Sequence, residues 1–218
     1  YDVSNYLINL NYTENDAFKF INFLQSEQSG YTPDQNIIHL QENEATKANI
    51  LYALNKLASV AKINDRVIFY FSGHGAPAGL CPYDFSSIKN NTITKYEIEN
   101  IFRNCKSKHK IVFADACYSG NLKSTKSINN SALNKFHDKL VSSKGGYAVL
   151  QSSGKFQTSL EDKMLKQGVF SYYLLKGLKG EADRNNDGIV VLKELIFYLE
   201  REVQEHCKRL LHMQKPEL

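Results

Sequence analysis

Two short stretches carry residue types able to do nucleophilic chemistry, and each of them ends an apolar run. Ile111-Val112-Phe113-Ala114 lies between Lys110 and Asp115 and leads into Ala116-Cys117-Tyr118-Ser119-Gly120. Val67-Ile68-Phe69-Tyr70-Phe71 follows Arg66 and leads into Ser72-Gly73-His74-Gly75. Such runs, rich in β-branched and aromatic residues, read as strands buried on both faces, as in parallel sheets. If the two strands are parallel, His74 and Cys117 emerge at one sheet edge although 43 positions separate them. That is the edge where open α/β sheets bind ligands.

A thiolate is the nucleophilic form of cysteine, and a neighbouring imidazole produces it by taking the proton. A glycine follows His74 directly, and the backbone N–H groups of Gly75 and Cys117 could form an oxyanion hole. Taken singly, Cys117 reads more simply as a buried strand-end cysteine and His74 as a loop histidine. Together at matching strand ends, with glycines beside them, they favour catalysis.

Phe71-Ser72-Gly73-His74-Gly75 and Asp115-Ala116-Cys117-Tyr118-Ser119-Gly120 closely resemble the two catalytic signatures of caspase-like cysteine peptidases, in their metacaspase and bacterial orthocaspase branch. Caspases carry glutamine two residues before the cysteine; Asp115 stands there, which is the metacaspase-like variant. The resemblance runs from Asn15-Asp16-Ala17 through Glu44 to Ile50 and on to Gly168-Val169-Phe170 and Glu194-Leu195. It implies the caspase-haemoglobinase fold, a three-layer α/β/α sandwich around a mostly parallel sheet. It implies one peptidase domain over 1–218, with a large-subunit-like part to about 122, a linker at about 121–144 and a small-subunit-like part at about 145–218. It also implies that Asp16, Ser72 and Asp115 line the S1 pocket, which receives the side chain preceding the scissile bond. Two carboxylates and a hydroxyl suit arginine or lysine, arginine better because its planar fork can pair with both acids.

A chain of 218 residues suits one domain with a full core. Its 42% hydrophobic and 23% charged residues place it among globular proteins, and a net charge of +4 without a Lys/Arg run argues against nucleic acid as partner. Four cysteines without a C-x-x-C pair suggest reduced thiols. No stretch approaches the roughly 18 apolar residues that span a bilayer, so no membrane partner is expected. Tyr1-Asp2-Val3 does not open a signal peptide, so the expected location is the cytoplasm. The chain lacks an initiator methionine, which fits trimming from something longer, and a fused or associated regulatory domain is compatible with that.

The positioning elements follow from periodicity. A helix is expected from Asn15 or Asp16 with Ala17, Phe18, Ile21 and Leu24 on one face, then a strand at 36–40 whose His39 faces solvent or a helix. A second helix is capped by Thr46 and a third by Thr94, the latter with Tyr96, Glu97, Ile98, Ile101 and Phe102 on its inner side. Cys81 reads as structural. The serine-, asparagine- and lysine-rich stretch 121–144 reads as a mobile linker, with self-cleavage expected after Lys123, Lys126, Lys135, Lys139 or Lys144. A strand restarts at Gly146, a helix runs from Phe170 to about Leu178, and a long helix from Val191 to about Leu211 turns Leu195, Ile196, Leu199, Val203 and Leu210 inward.

A second motif lies before that last helix. Asp183, Asn185, Asp187, Gly188, Ile189 and Glu194 occupy the first, third, fifth, sixth, seventh and twelfth places of an EF-hand calcium loop. The alternative is a solvated Asp-Gly turn whose acids suit a helix N-terminus. His206, Cys207 and His212 read as a solvated helix face in preference to a zinc site. The expected activity is that of a cysteine endopeptidase acting on protein or peptide after basic residues and needing no cofactor for its chemistry, with calcium as a candidate ion. The alternatives are a catalytically idle scaffold or calcium-binding interaction module, and a cysteine hydrolase of small amides.

Overall fold

The computed structural model describes residues 9–76, 78–86, 91–116, 146–154 and 157–218. Cys117 and the 121–144 stretch with its lysines lie outside the described residues. In chain order the strands are β1 (Arg66–Gly73), the two-residue β2 (Gly75–Ala76) and β3 (Gly79–Leu80), β4 (His109–Ala116), β5 (Gly146–Gln151), and the two-residue β6 (Glu161–Asp162) and β7 (Gln167–Gly168). The α-helices are α1 (Thr13–Leu24), α2 (Lys47–Val60), α3 (Lys95–Asn104), α4 (Val169–Lys176) and α5 (Leu192–Arg209).

The apolar runs form the parallel sheet expected of them. Its order is β1-β4-β5, both pairings are parallel, and Ser72 lies opposite Asp115 and Gly73 opposite Ala116. Successive side chains leave a strand on opposite faces, so each strand feeds two cores. Ile68, Tyr70, Phe113 and Leu150 pack with α1, α4 and α5. Val67, Phe71 and Val112 pack with α2 and α3. The result is helices on both faces of the sheet, a three-layer α/β/α arrangement.

Local chemistry sets the helix ends. Thr46 Oγ1 accepts from Asn49 N at 3.3 Å, and Thr94 and Glu97 form a reciprocal capping box that starts α3. α1 begins two residues before the expected Asn15, because its entry is held by a distant carboxylate: Glu161 accepts from the backbone N–H groups of Asn11 and Tyr12, the latter at 2.8 Å. Four expectations are corrected. Phe18 is exposed, because α1 turns Asp16, Phe20 and Phe23 inward instead. Residues 37–40 have no regular secondary structure and join no ladder among the described residues, and a cavity of about 1700 Å³ is lined by them and by β1. Tyr96 is exposed, being two positions from Ile98 and so turned away from the inner face of α3. Leu210 is also exposed, because α5 stops at Arg209 and the chain turns there.

Candidate active site

The sheet's carboxyl edge collects the sequence-selected polar residues. Gly73, the residue before His74, sits opposite Ala116, the residue before Cys117. His74 is buried, and its carbonyl accepts from Cys81 N at 2.9 Å. Gly75 opens the β2–β3 hairpin, paired with Leu80. Burial pushes the Cys81 thiol up to about 12 and the Cys207 thiol, which also faces Asp115 and Asp162, up to about 11. Both therefore stay protonated near neutrality and are poor nucleophiles. Cys105 is buried as well, and no disulfide joins cysteines among the described residues.

Asp16, Ser72 and Asp115 come together. Ser72 Oγ donates to Asp16 Oδ2 at 3.1 Å, and both acids are almost wholly buried, at 1% and 5% exposure. Alternation along β1 and β4 sends Ser72 and Asp115 to the same face, where the first turn of α1 delivers Asp16. Neutral donors surround both carboxyls. Asp16 accepts from Gly168 N at 3.2 Å and from Gln167 Nε2 at 3.3 Å, while Asp115 accepts from Ser171 N at 3.1 Å, from Ser171 Oγ at 2.6 Å and from Ser159 Oγ. Gly168 is the N-cap of α4 and Ser171 lies in its first turn, so the positive end of that helix points at both acids.

Gly168 makes this convergence sterically feasible. A Cβ there would lie 2.3 Å from Asp115 Oδ2 and 3.1 Å from Asp16 Oδ2, so any side chain would have to displace the first carboxylate. Two acids this close and this dry resist ionising together. Desolvation, followed by the neighbouring Asp115 charge, raises Asp16 to about 8 against the pull of its donors. Desolvation raises Asp115 too, although Ser159, Ser171 and Ser152 lower it in part.

Sequence reasoning did not select Ser152, Ser159, Glu161, Gln167, Gly168 or Ser171 as site residues. Only Gly168 fell within a stretch of resemblance that pointed to the site. The others are polar residues whose partners lie roughly 40 to 150 positions away, a separation that no local pattern encodes.

The 183–194 loop is closed on its own hydrogen bonds. Gly188 N donates to Asp183 Oδ2 at 2.8 Å, Ile189 N to Asp187 Oδ1 at 2.8 Å, and Val191 N to Glu194 Oε2 at 3.1 Å. Gly188 adopts φ +81°, the left-handed turn its place in the motif calls for. Among the described residues no three His, Cys, Asp or Glu side chains converge as a metal-ligand set. The expected solvated face at 206–212 is corrected. Cys207 is fully buried, His206 Nε2 meets Asp162 Oδ2 at 2.7 Å with its Nδ1 3.1 Å from the Tyr173 hydroxyl, and His212 Nε2 meets Thr158 O at 2.8 Å.

Comparison with known proteins agrees with this fold. The family model described as the caspase domain matches residues 2–216, and the chain belongs to that family of cysteine peptidases, with its α/β caspase-haemoglobinase fold. A protein named "Probable protease" from a Desulfuromonadales bacterium is 28% identical over 125 residues; the match takes in 47% of this chain, which spans 15% of that relative's length. A crystal structure of a protein from Geobacter sulfurreducens superposes with a TM-score of 0.62 at 18% identity, covering 96% of this chain and 83% of the other, a likeness of fold alone. Among the described residues no helix is long and apolar enough to cross a membrane.

Proposed function

We propose that this chain is the peptidase domain of a cysteine endopeptidase that cleaves proteins after arginine or lysine. His74 takes the Cys117 proton, and the thiolate attacks the carbonyl carbon of the scissile bond. The resulting oxyanion is held by the N–H groups of Gly75 and Cys117. Collapse breaks the C–N bond, the proton on His74 passes to the leaving amine, and a thioester remains. Water, losing its proton to His74, hydrolyses that thioester and restores the thiol. In this scheme the substrate's basic side chain enters the pocket of Asp16, Ser72 and Asp115, and no cofactor takes part.

One observation carries the specificity: two buried carboxyls meet at one point, and every partner named above is neutral. A guanidinium there would supply the missing charge and pair with both acids, while an aspartate would meet like charge. Fluorogenic peptides ending in Arg, Lys or Asp test it. Arg should be cleaved fastest, Lys more slowly and Asp not at all, with Cys117→Ala inactive; cleavage after Asp would overturn the specificity.

The 183–194 loop we propose as a calcium site that steadies the start of α5, with Asp183, Asn185, Asp187 and Glu194 offering side-chain oxygens and Ile189 its carbonyl. Binding to the folded state alone raises its stability. Millimolar calcium should raise the melting temperature by several degrees, and Asp187→Ala should remove that rise. An unchanged melting temperature in the unmutated protein would end the idea.

A further inference from the structure

The C-terminal tail after α5 lies behind the candidate site. Glu217 and Gln151 exchange two backbone hydrogen bonds, Glu217 N to Gln151 O at 3.0 Å and Gln151 N to Glu217 O at 2.9 Å, so the tail is bridged to β5. Between that bridge and the turn after α5 stands Gln214, 2% exposed, with its amide fully engaged. Its Nε2 donates to Ser152 O at 3.0 Å and Ser159 Oγ at 3.4 Å, and its Oε1 accepts from Leu160 N at 2.8 Å and Cys207 Sγ at 3.5 Å.

Both serines grip the strand end that leads to Cys117. Ser152 Oγ accepts from Ala116 N at 3.1 Å and donates to Ala116 O at 3.2 Å, which extends the sheet's hydrogen bonding one residue past β5. Ser159 Oγ donates to Asp115 Oδ1. One amide thus fixes both a serine that holds the residue before Cys117 and a serine that holds an acid of the pocket. Losing it would leave a buried carbonyl and a buried N–H unmatched and would remove one of the contacts that hold each serine in place. Shifts of an ångström behind a reacting group cost large factors in rate.

We propose that Gln214 is a positioning residue for this site: it holds Ser152 and Ser159, and through them the backbone at Ala116 and the carboxyl of Asp115. The proposal rests on the peptidase reading for its kinetic consequence, though not for its effect on the strand end. Gln214→Met keeps length and bulk without the amide, and Gln214→Asn keeps the amide but shortens its reach. Lys215→Ala removes only a surface pair with Glu200 at 3.6 Å and serves as control.

Each protein should be assayed well below its own melting temperature. Two readouts are needed, namely kcat/KM on Arg-ended and Lys-ended peptides and the rate of iodoacetamide alkylation located at Cys117 by mass spectrometry. Gln214→Met is expected to lower kcat/KM at least tenfold, to change the Arg-to-Lys ratio at least threefold and to alter the alkylation rate at least fivefold. Gln214→Asn should lie between it and the unmutated protein, and Lys215→Ala should match the latter. Rates within twofold of the unmutated protein in both Gln214 variants would overturn the proposal, as would equal losses in Lys215→Ala. If Gln214→Met does not fold, Gln214→Asn decides by the same criteria. If the unmutated protein cleaves neither peptide, the basic specificity fails, and the alkylation rates still decide the role of Gln214.

Discussion

Two carboxyls sit within a few residues of the β6–β7 hairpin's contacts, and their surroundings push them opposite ways. Burial pushes Asp162 up, but the His206 imidazole at 2.7 Å and the backbone N–H groups of Met164 and Leu165 outweigh it and leave the group below the usual carboxylate range. Asp16 has as many donors, all neutral, and a second acid beside it, and it ends well above that range. Both are hydrogen-bonded; Asp16 differs first in its deeper burial and then in the acid beside it, where Asp162 has an imidazole. Asp162 is already paired with an imidazole, whereas Asp16 and Asp115 accept from neutral donors, and under the proposed specificity the substrate would bring their cation. Two acids that share one buried site with their protonation displaced upward are candidates for function, which is why the proposal rests on this pair and not on Asp162.

The sharpest way to break this contrast is at Asp115. Asp115→Asn should lower kcat/KM for Arg-ended peptides by about a hundredfold, since a charged hydrogen bond lost in a buried site costs on the order of 1.5–3 kcal/mol and the bidentate pairing goes with it. Steady-state kinetics check this, and near-full activity would remove Asp115 from the pocket.

Asp16 should show its raised value in the pH profile. The native carboxyl keeps its proton up to about 8, and the unfolded one loses it near about 4. Between those values the unfolded state binds fewer protons, so Asp16 makes the fold less stable as pH rises. A guanidinium needs the carboxylate, so KM for an Arg-ended peptide should fall as pH rises from 6 through 8. Asp16→Asn should flatten that dependence, raise KM about tenfold, and melt at or above the unmutated protein at pH 9. A KM independent of pH in the unmutated enzyme would contradict the link.

The smallest effect is expected at the completed pair. Asp162→Asn should cost about 1–2 kcal/mol, a few degrees of melting temperature in a chain of this length, and leave kcat/KM within twofold at 20 °C as a control temperature set roughly by the stability margin. Because the native carboxyl lies below its unfolded value, its contribution is present above about pH 4 and lost as pH falls. The difference between variant and parent should therefore vanish in acid.

The frame of the fold was legible because it is written in contiguous runs: Val67 to Phe71 and Ile111 to Ala114 are strands, and Thr46 and Thr94 cap helices at the expected places. The meeting of Asp16, Ser72 and Asp115 was legible through resemblance to a family and alternation along strands. What stayed hidden depends on distance along the chain. Nothing near Gly168 announces that two acids will face it, and nothing near Gln214 announces Ser152. Residues 36–40 misled for the opposite reason, since an apolar run becomes a strand only beside a neighbour to pair with, and none flanks it among the described residues.

The β4–β5 ladder has a consequence for a cut chain. Six consecutive register pairs, from His109 with Gly146 to Ala114 with Gln151, join a part ending at Ala116 to a part beginning at Gly146. Ser152 at Ala116, Ser171 at Asp115 and Gly168 at Asp16 bind the same two parts again at the sheet edge. A break anywhere between these parts would therefore turn one folded molecule into a one-to-one complex of two fragments, whose stability acquires a dependence on concentration that the intact chain does not have. Separately made fragments should reassemble on mixing: the first carries both Asp16 and Asp115, and the second carries Gly168, Ser171 and Ser159, which donate to them.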